Sequence, residues 1–232
     1  MNQQQDAVQQ TEVQWATVPR GMSRRNFLAG VAGAAGAATI ITACSKHHDD
    51  DGINLGSGDI GILNFAYALE QLEAAFYTAV INSLFNGITP SEQALLTDIR
   101  DHEIAHREFF KNALGSSAIQ SLEVNFSSIN FSSRDSVLGT AKAFEDLGVS
   151  AYNGAGQLIT SPDYLLLAGK IVSVEARHAA YIRDLVSNGS FADSTVVNPT
   201  TGLDQARMPK DVLAIASQYL KSKLNANNLP TS

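Results

Sequence analysis

The sequence predicts an all-α protein, a four-helix bundle with a long crossover between its second and third helices, followed by a short C-terminal helix. Three observations predict it. Glu-x-x-His occurs twice, at Glu103/His106 and Glu175/His178, each time in a stretch whose apolar residues recur at helical spacing. A Glu followed by a Tyr two helical turns later also occurs twice, at Glu70/Tyr77 and Glu145/Tyr152, so each such pair shares a helix face. The order is then a two-helix unit repeated once, with 33 residues from Glu70 to Glu103 and 30 from Glu145 to Glu175. With 9 Glu and 5 His in 232 residues, chance supplies roughly 0.2 Glu-x-x-His matches, against the two found.

Residues 1–22 are Gln-rich, polar and without periodicity, which reads as a disordered leader. Ser23-Arg24-Arg25-Asn26-Phe27-Leu28 then sets twin arginines directly before an Ala/Gly-rich apolar run ending at Ile41-Thr42-Ala43-Cys44. This arrangement is similar to a twin-arginine export signal over residues 1–43, and its last four residues resemble a lipobox whose Cys44 becomes the lipidated mature N-terminus. A transmembrane reading of residues 27–43 meets a run of only about 17 apolar or small residues, rich in Gly, where a span needs about 20. Residues 44–58 read as a polar Gly/Ser/Asp linker, in which His47, His48 and Asp49 to Asp51 form a solvated tether.

The bundle is expected over 59–189. From Asp59 to Phe85, Leu63, Ala66, Tyr77, Ile81 and Leu84 fall within about 40° of Glu70 on a helical wheel, so Glu70 faces the core. Glu73 lies about 60° away and stays open as an alternative ligand; the repeat argues for Glu70, because Gly148 stands where Glu73 would recur. Thr89-Pro90-Ser91-Glu92 is a capping box that opens a second helix, which runs to Leu114 before Gly115 and aligns Leu96, Ile99, Phe110 and Leu114 with Glu103 and His106. The Ser-rich stretch from Gly115 to Ser132 lacks periodicity and is long enough to cross the length of a bundle. A third helix over Ser133 to Ile159 aligns Leu138, Ala141, Val149, Tyr152 and Ile159 with Glu145, although four glycines weaken its propensity. Ser161-Pro162 opens a fourth, with Ile171, Glu175, His178 and Ile182 on one side, stopping at Asn188-Gly189. Residues 190–232 hold a polar loop and a short fifth helix over Pro209 to Leu224.

Two helices with Glu-x-x-His and two with a single Glu, all facing inward, are the donor set of a two-metal site: Glu70, Glu103, His106, Glu145, Glu175 and His178. The stretch His102-Glu103-x-x-His106 also spells His-Glu-x-x-His, the zinc-binding helix of a metalloprotease, but that reading leaves Glu70, Glu145, Glu175 and His178 without a role. NFAYALEQLEAAFY, RDHEIAHREFF, AFEDLGVSAY and SVEARHAAYI, spanning Ile62 to Leu185, resemble the ferritin-like domain family, in particular an exported bacterial branch related to desiccation-associated proteins. The resemblance implies that the same six residues bind two iron or manganese ions. Iron oxidation, peroxide removal, oxygenation and no assigned reaction all occur in that superfamily.

The expectation is therefore an exported di-metal protein that oxidises metal or consumes O₂ or peroxide in stress protection, with Tyr77 and Tyr152 hydrogen-bonding the ligand carboxylates or quenching radicals. A lipoprotein that binds a metal or a partner without turnover is the alternative. The net charge of −7, the pI of about 5.1 and the lack of a basic cluster exclude a nucleic-acid partner. The single Cys excludes an intramolecular disulfide, and the expected membrane contact is the acyl anchor at Cys44.

Overall fold

A computed structural model of the chain describes residues 52–231; the expected export signal over 1–43, Cys44 and residues 45–51 lie outside the described residues. Four long helices form a bundle: α1 (Gly58–Asn82), α2 (Pro90–Leu114), α3 (Arg134–Gly156) and α4 (Pro162–Val186), followed by a short α5 (Pro209–Ala216). The predicted fold class holds. α1 packs along α2 and α3 along α4, and the two pairs meet chiefly through α1 and α3.

Local chemistry sets the helix starts. Thr89 Oγ1 accepts the Glu92 N–H while Glu92 Oε2 accepts the Thr89 N–H, closing the capping box of α2. Ser133 and Ser161 cap α3 and α4, and Pro162 sits in the first turn of α4 where its missing N–H costs nothing. α1 is buried on nearly every face from Gly61 to Tyr77, as its apolar character all round requires. α2 buries a single stripe, Leu96, Ile99, Glu103, Phe110 and Leu114.

The crossover from Ala118 to Ser133 contains no helix and is pinned to α1 by side chains. Asn64 donates to the Leu55 and Ser117 carbonyls and accepts from the Ile119 N–H, and Gln71 accepts from the Leu122 N–H. These bonds satisfy loop amides that burial would otherwise leave unpaired. Ile119 and Ile129 enter the core.

Three boundaries differ from expectation. α1 stops at Asn82, so Leu84 is exposed and leaves the Glu70 face, while Phe85 turns inward to 2 % exposure; burying Phe85 contributes about 1.5 to 3 kcal/mol, more than three further residues of helix would give. α3 ends at Gly156 rather than Ile159, and the Leu158 N–H bonds back to the Ala155 carbonyl. The fifth helix covers only 209–216: Ser217–Tyr219 form a 3₁₀ turn, and Leu224–Asn225 (β2) pair in parallel with Ile53–Asn54 (β1), inside the stretch expected as a linker. An apolar run of this length fits a helix or an extended segment equally, and backbone bonds from Asn125 to Tyr219 and from Lys221 to Glu123 hold it extended against the crossover. Leu55 is fully buried as a result.

The glycines of α3 have separate roles. A Cβ at Gly154 would stand 1.8 Å from the Arg207 carbonyl oxygen, so only glycine admits the loop that bonds through the Arg207 N–H to Ser150. A Cβ at Gly139 would meet nothing. Gly154→Ala is therefore expected to destabilise the protein by about 1 to 3 kcal/mol, and Gly139→Ala to stabilise it by about 0.5 to 1 kcal/mol. Urea unfolding of both variants checks this, and equal midpoints would contradict the packing described.

Candidate metal centre

Each long helix sends its acidic side chains to one point in the bundle. α1 supplies Glu70, α2 Glu103 and His106, α3 Glu145, and α4 Glu175 and His178. All four carboxylates are fully buried, His178 is buried and His106 is partly buried.

The donor atoms fall into two groups that share two residues. Glu70, Glu103, His106 and Glu175 form one, and Glu103, Glu145, Glu175 and His178 the other. In the first, His106 Nδ1 lies 2.9 Å from Glu175 Oε1, 3.4 Å from Glu70 Oε2 and 3.6 Å from Glu103 Oε2. In the second, His178 Nδ1 lies 2.9 Å from Glu103 Oε1, 3.5 Å from Glu145 Oε2 and 3.6 Å from Glu175 Oε2. Glu103 and Glu175 thus offer one oxygen to each group, which is the disposition of a bridging carboxylate. Donors at about 2.1 Å from a common ion, with angles of 90 to 110°, stand about 3.0 to 3.4 Å apart, close to these separations.

Hydrogen bonding does not account for the arrangement. Nine buried side-chain nitrogen or oxygen atoms among the described residues lack a hydrogen-bond partner, and eight of them belong to these six residues, including both Nδ1 atoms and both oxygens of Glu103 and Glu175. The short Nδ1 to carboxylate contacts do not meet the geometry of a hydrogen bond, although the nearest oxygen lies 2.9 Å from each Nδ1. Buried orphan donors and acceptors are costly, and a shared cation removes the cost.

The outward oxygens are held. Tyr152 donates its hydroxyl to Glu70 Oε1, and Tyr77 donates to Glu145 Oε1. Each tyrosine therefore serves the carboxylate of the other repeat, across the bundle, and not the glutamate on its own helix face. Burial, followed by the charge of that carboxylate, pushes both phenols well above their ordinary value, so both stay protonated donors. His102 belongs to neither group: its Nδ1 lies 2.9 Å from His178 Nε2, with the two rings stacked at 8°. For His178 to present Nδ1 to a cation its proton must sit on Nε2, and His102 Nδ1 accepts it there, fixing the tautomer. The two histidines of His-Glu-x-x-His thus serve different ends, and no single ion is held by both.

Glu73 is buried but lies outside both groups, while Glu70 lies within one. A Cβ on Gly148 would stand 3.2 Å from Glu73 Oε1. Positions 73 and 148 are equivalent in the repeat and meet each other, so the Glu73 side chain leaves little room for one at 148. The sequence carried this signal as a Glu in one repeat opposite a Gly in the other.

Left to protons as counter-charge, the cluster is strained. Burial alone would depress His106 and His178, but Glu103 with Glu175 and Glu70 pushes the first up to about 12, and Glu103 with Glu145 and Glu175 pushes the second up to about 12. Burial would raise Glu103, yet the two imidazoles hold it down at about 2. Burial and the neighbouring carboxylates raise Glu145 to about 8 and Glu70 well above its ordinary value. Two divalent cations would balance four carboxylates charge for charge. One nitrogen with three carboxylates per position suits iron or manganese better than the thiolate-rich or all-nitrogen sets of softer metals.

A family model described as Ferritin-like domain matches residues 58–188, from the start of α1 to just past the end of α4. No curated protein matches the chain.

Two expectations follow. His178→Ala should lose metal while His102→Ala retains it with affinity lowered about 10- to 100-fold; elemental analysis of both purified variants checks the order, and the reverse would restore the single-zinc reading. Metal loading at pH 7 should release protons, from the two imidazoliums above all. Groups protonated at pH 7 compete with the metal, so affinity should fall as pH falls. Calorimetry in buffers of different ionisation enthalpy gives the number, and zero release would contradict this charge state.

Proposed function

The chain belongs to the ferritin-like domain family, and from that premise we propose that it is an exported, lipid-anchored protein holding two iron or manganese ions for use on O₂ or peroxide, in protection against oxidative or drying stress. The observation that carries the metal reading is the convergence of eight unpartnered buried donor atoms into two groups sharing Glu103 and Glu175. Two such ions, held by Glu70, Glu103, His106, Glu145, Glu175 and His178, would supply redox and Lewis-acid chemistry.

The residues have distinct tasks in this reading. Glu103 and Glu175 hold the two positions together and neutralise half the added charge. His106 and His178 give each position one neutral nitrogen, and His102 orients His178. Tyr152 and Tyr77 fix Glu70 and Glu145 through one oxygen each, leaving the other for metal. Close packing around the carboxylates keeps bulk water out, which strengthens every charge interaction inside.

Export rests on Arg24, Arg25 and the run ending at Cys44, and the link to drying stress rests on the resemblance of the four helical motifs to that exported branch. No helix of the described residues is long and apolar enough to cross a membrane; membrane attachment in this reading rests on an acyl chain on Cys44, by the resemblance of Ile41-Thr42-Ala43-Cys44 to a lipobox. Such a chain contributes about 0.8 kcal/mol per buried CH₂.

Metal-loaded wild-type protein is expected to consume O₂ or peroxide catalytically, and Glu175→Ala to lose metal and turnover together. A full complement of metal with no turnover would leave a binding protein instead. Cys44→Ser should move the protein from the membrane fraction to the soluble one on cell fractionation, and unchanged membrane association would remove the anchor from the proposal.

A further inference from the structure

The two repeats match at the ligands but not around them. A shift of 75 residues carries Glu70 onto Glu145 and Tyr77 onto Tyr152, and a shift of 72 carries Glu103 onto Glu175 and His106 onto His178. The same shifts carry Phe76, Val80, Ile81 and Leu96 onto Ala151, Ala155, Gly156 and Ala168. Four bulky positions in the first repeat are therefore small in the second. Beside Tyr77 the volume is filled: the Phe76 ring packs at 6.0, 6.2 and 5.0 Å from Phe126, Phe131 and Phe144.

Beside Tyr152 a partly open apolar cavity of about 20 Å³ remains, lined among others by Ala66, Leu69, Phe110, Ala151, Ala155 and the Tyr152 ring and by half-buried Phe109 and Tyr164. A single water-sized particle needs about 10 to 15 Å³, and a buried water also needs two to four polar partners. The lining carries two side-chain polar atoms, the hydroxyl of Tyr152, which already donates to Glu70, and that of half-buried Tyr164, too few free partners for a buried water. The space therefore suits one small molecule that makes no hydrogen bonds. The Tyr152 ring lines this space and its hydroxyl donates to Glu70, so the Tyr152 side chain links the cavity to Glu70 of the Glu70, Glu103, His106 and Glu175 group.

We propose that this cavity is a one-molecule binding site for a small apolar gas, dioxygen in the chemistry proposed above, delivered to the Glu70 side of the metal centre past Tyr152. Naming dioxygen rests on the di-metal reading; the apolar, one-molecule character of the site does not. The two metal positions then differ in access although their donors match, and the Glu70 side receives the gas.

Xenon, apolar and visible by anomalous scattering, is the probe. Crystals of the wild-type protein under xenon pressure should show one atom beside Tyr152. Ala155→Val and Ala168→Leu, each borrowing the residue of the other repeat, should abolish it, and circular dichroism with elemental analysis establishes which variants fold and load metal; either one suffices. These variants should also slow O₂ uptake by the iron(II)-loaded protein several-fold at unchanged metal content. A wild-type cavity without xenon, xenon retained in a folded filled variant, or unchanged O₂ uptake would each overturn the proposal. Xenon bound by a protein that takes up no metal would sink the di-metal function and leave the cavity standing, so the two failures are distinct.

Discussion

Four carboxylates that meet inside a helical bundle are the constraint on which the rest of this structure depends. Two bare carboxylates about 4 Å apart repel by about 4 kcal/mol at an effective dielectric of about 20, and Glu70, Glu103, Glu145 and Glu175 are all fully buried around two imidazoles. No arrangement of apolar neighbours relieves that repulsion. Positive charge must enter between them, as protons or as metal, and the unpartnered donor atoms show where it enters. The helices are built around this demand: each contributes one carboxylate, and Tyr77 and Tyr152 tie the terminal carboxylates across from one repeat to the other.

The repeat gives the centre its symmetry, and departures from the repeat give it direction. Glu73 and Gly148 occupy equivalent positions and meet each other, which favours a small residue at one of them. Phe76 and Ala151 are equivalent as well, yet one fills its side of the bundle with a cluster of rings and the other leaves space. His102 supports His178, whereas Val174 stands at the matching position beside His106 and has no polar side chain to offer. A pair of ions bound in this site would share their bridging ligands but not their surroundings.

Segments outside the four helices hold the hairpins together. Asn64 and Gln71, polar residues in an otherwise apolar stretch of α1, fasten the crossover, and the chain after α5 returns to bond the crossover and to pair with Ile53–Asn54. Arg183, buried among Asp146, Asp193 and the Ser190 carbonyl, does the same for the loop after α4. Buried polar side chains in these places are satisfied by backbone groups and, for Arg183, by carboxylates as well, which lets loops lie on a core.

What the sequence by itself determined is whatever repeats within a few residues. Helical periodicity placed Glu70, Glu145, Glu103 with His106 and Glu175 with His178 on inward faces, and Thr89, Ser133, Ser161 and the prolines marked where helices begin, because those signals are local and each helix closes its own hydrogen bonds. Only the tertiary structure decided that Tyr77 serves Glu145 rather than Glu70, that Glu103 and Glu175 are the shared carboxylates, that His102 meets His178 and that Glu73 lies outside both groups. The same holds for Leu84, which periodicity put inside and the early end of α1 left outside, and for Leu224–Asn225, which pair as a strand with residues far back in the chain. Such pairings depend on the register between helices and on close approach at Gly148 and Gly154, and distances of that kind are set by packing between segments, which no window along the chain contains.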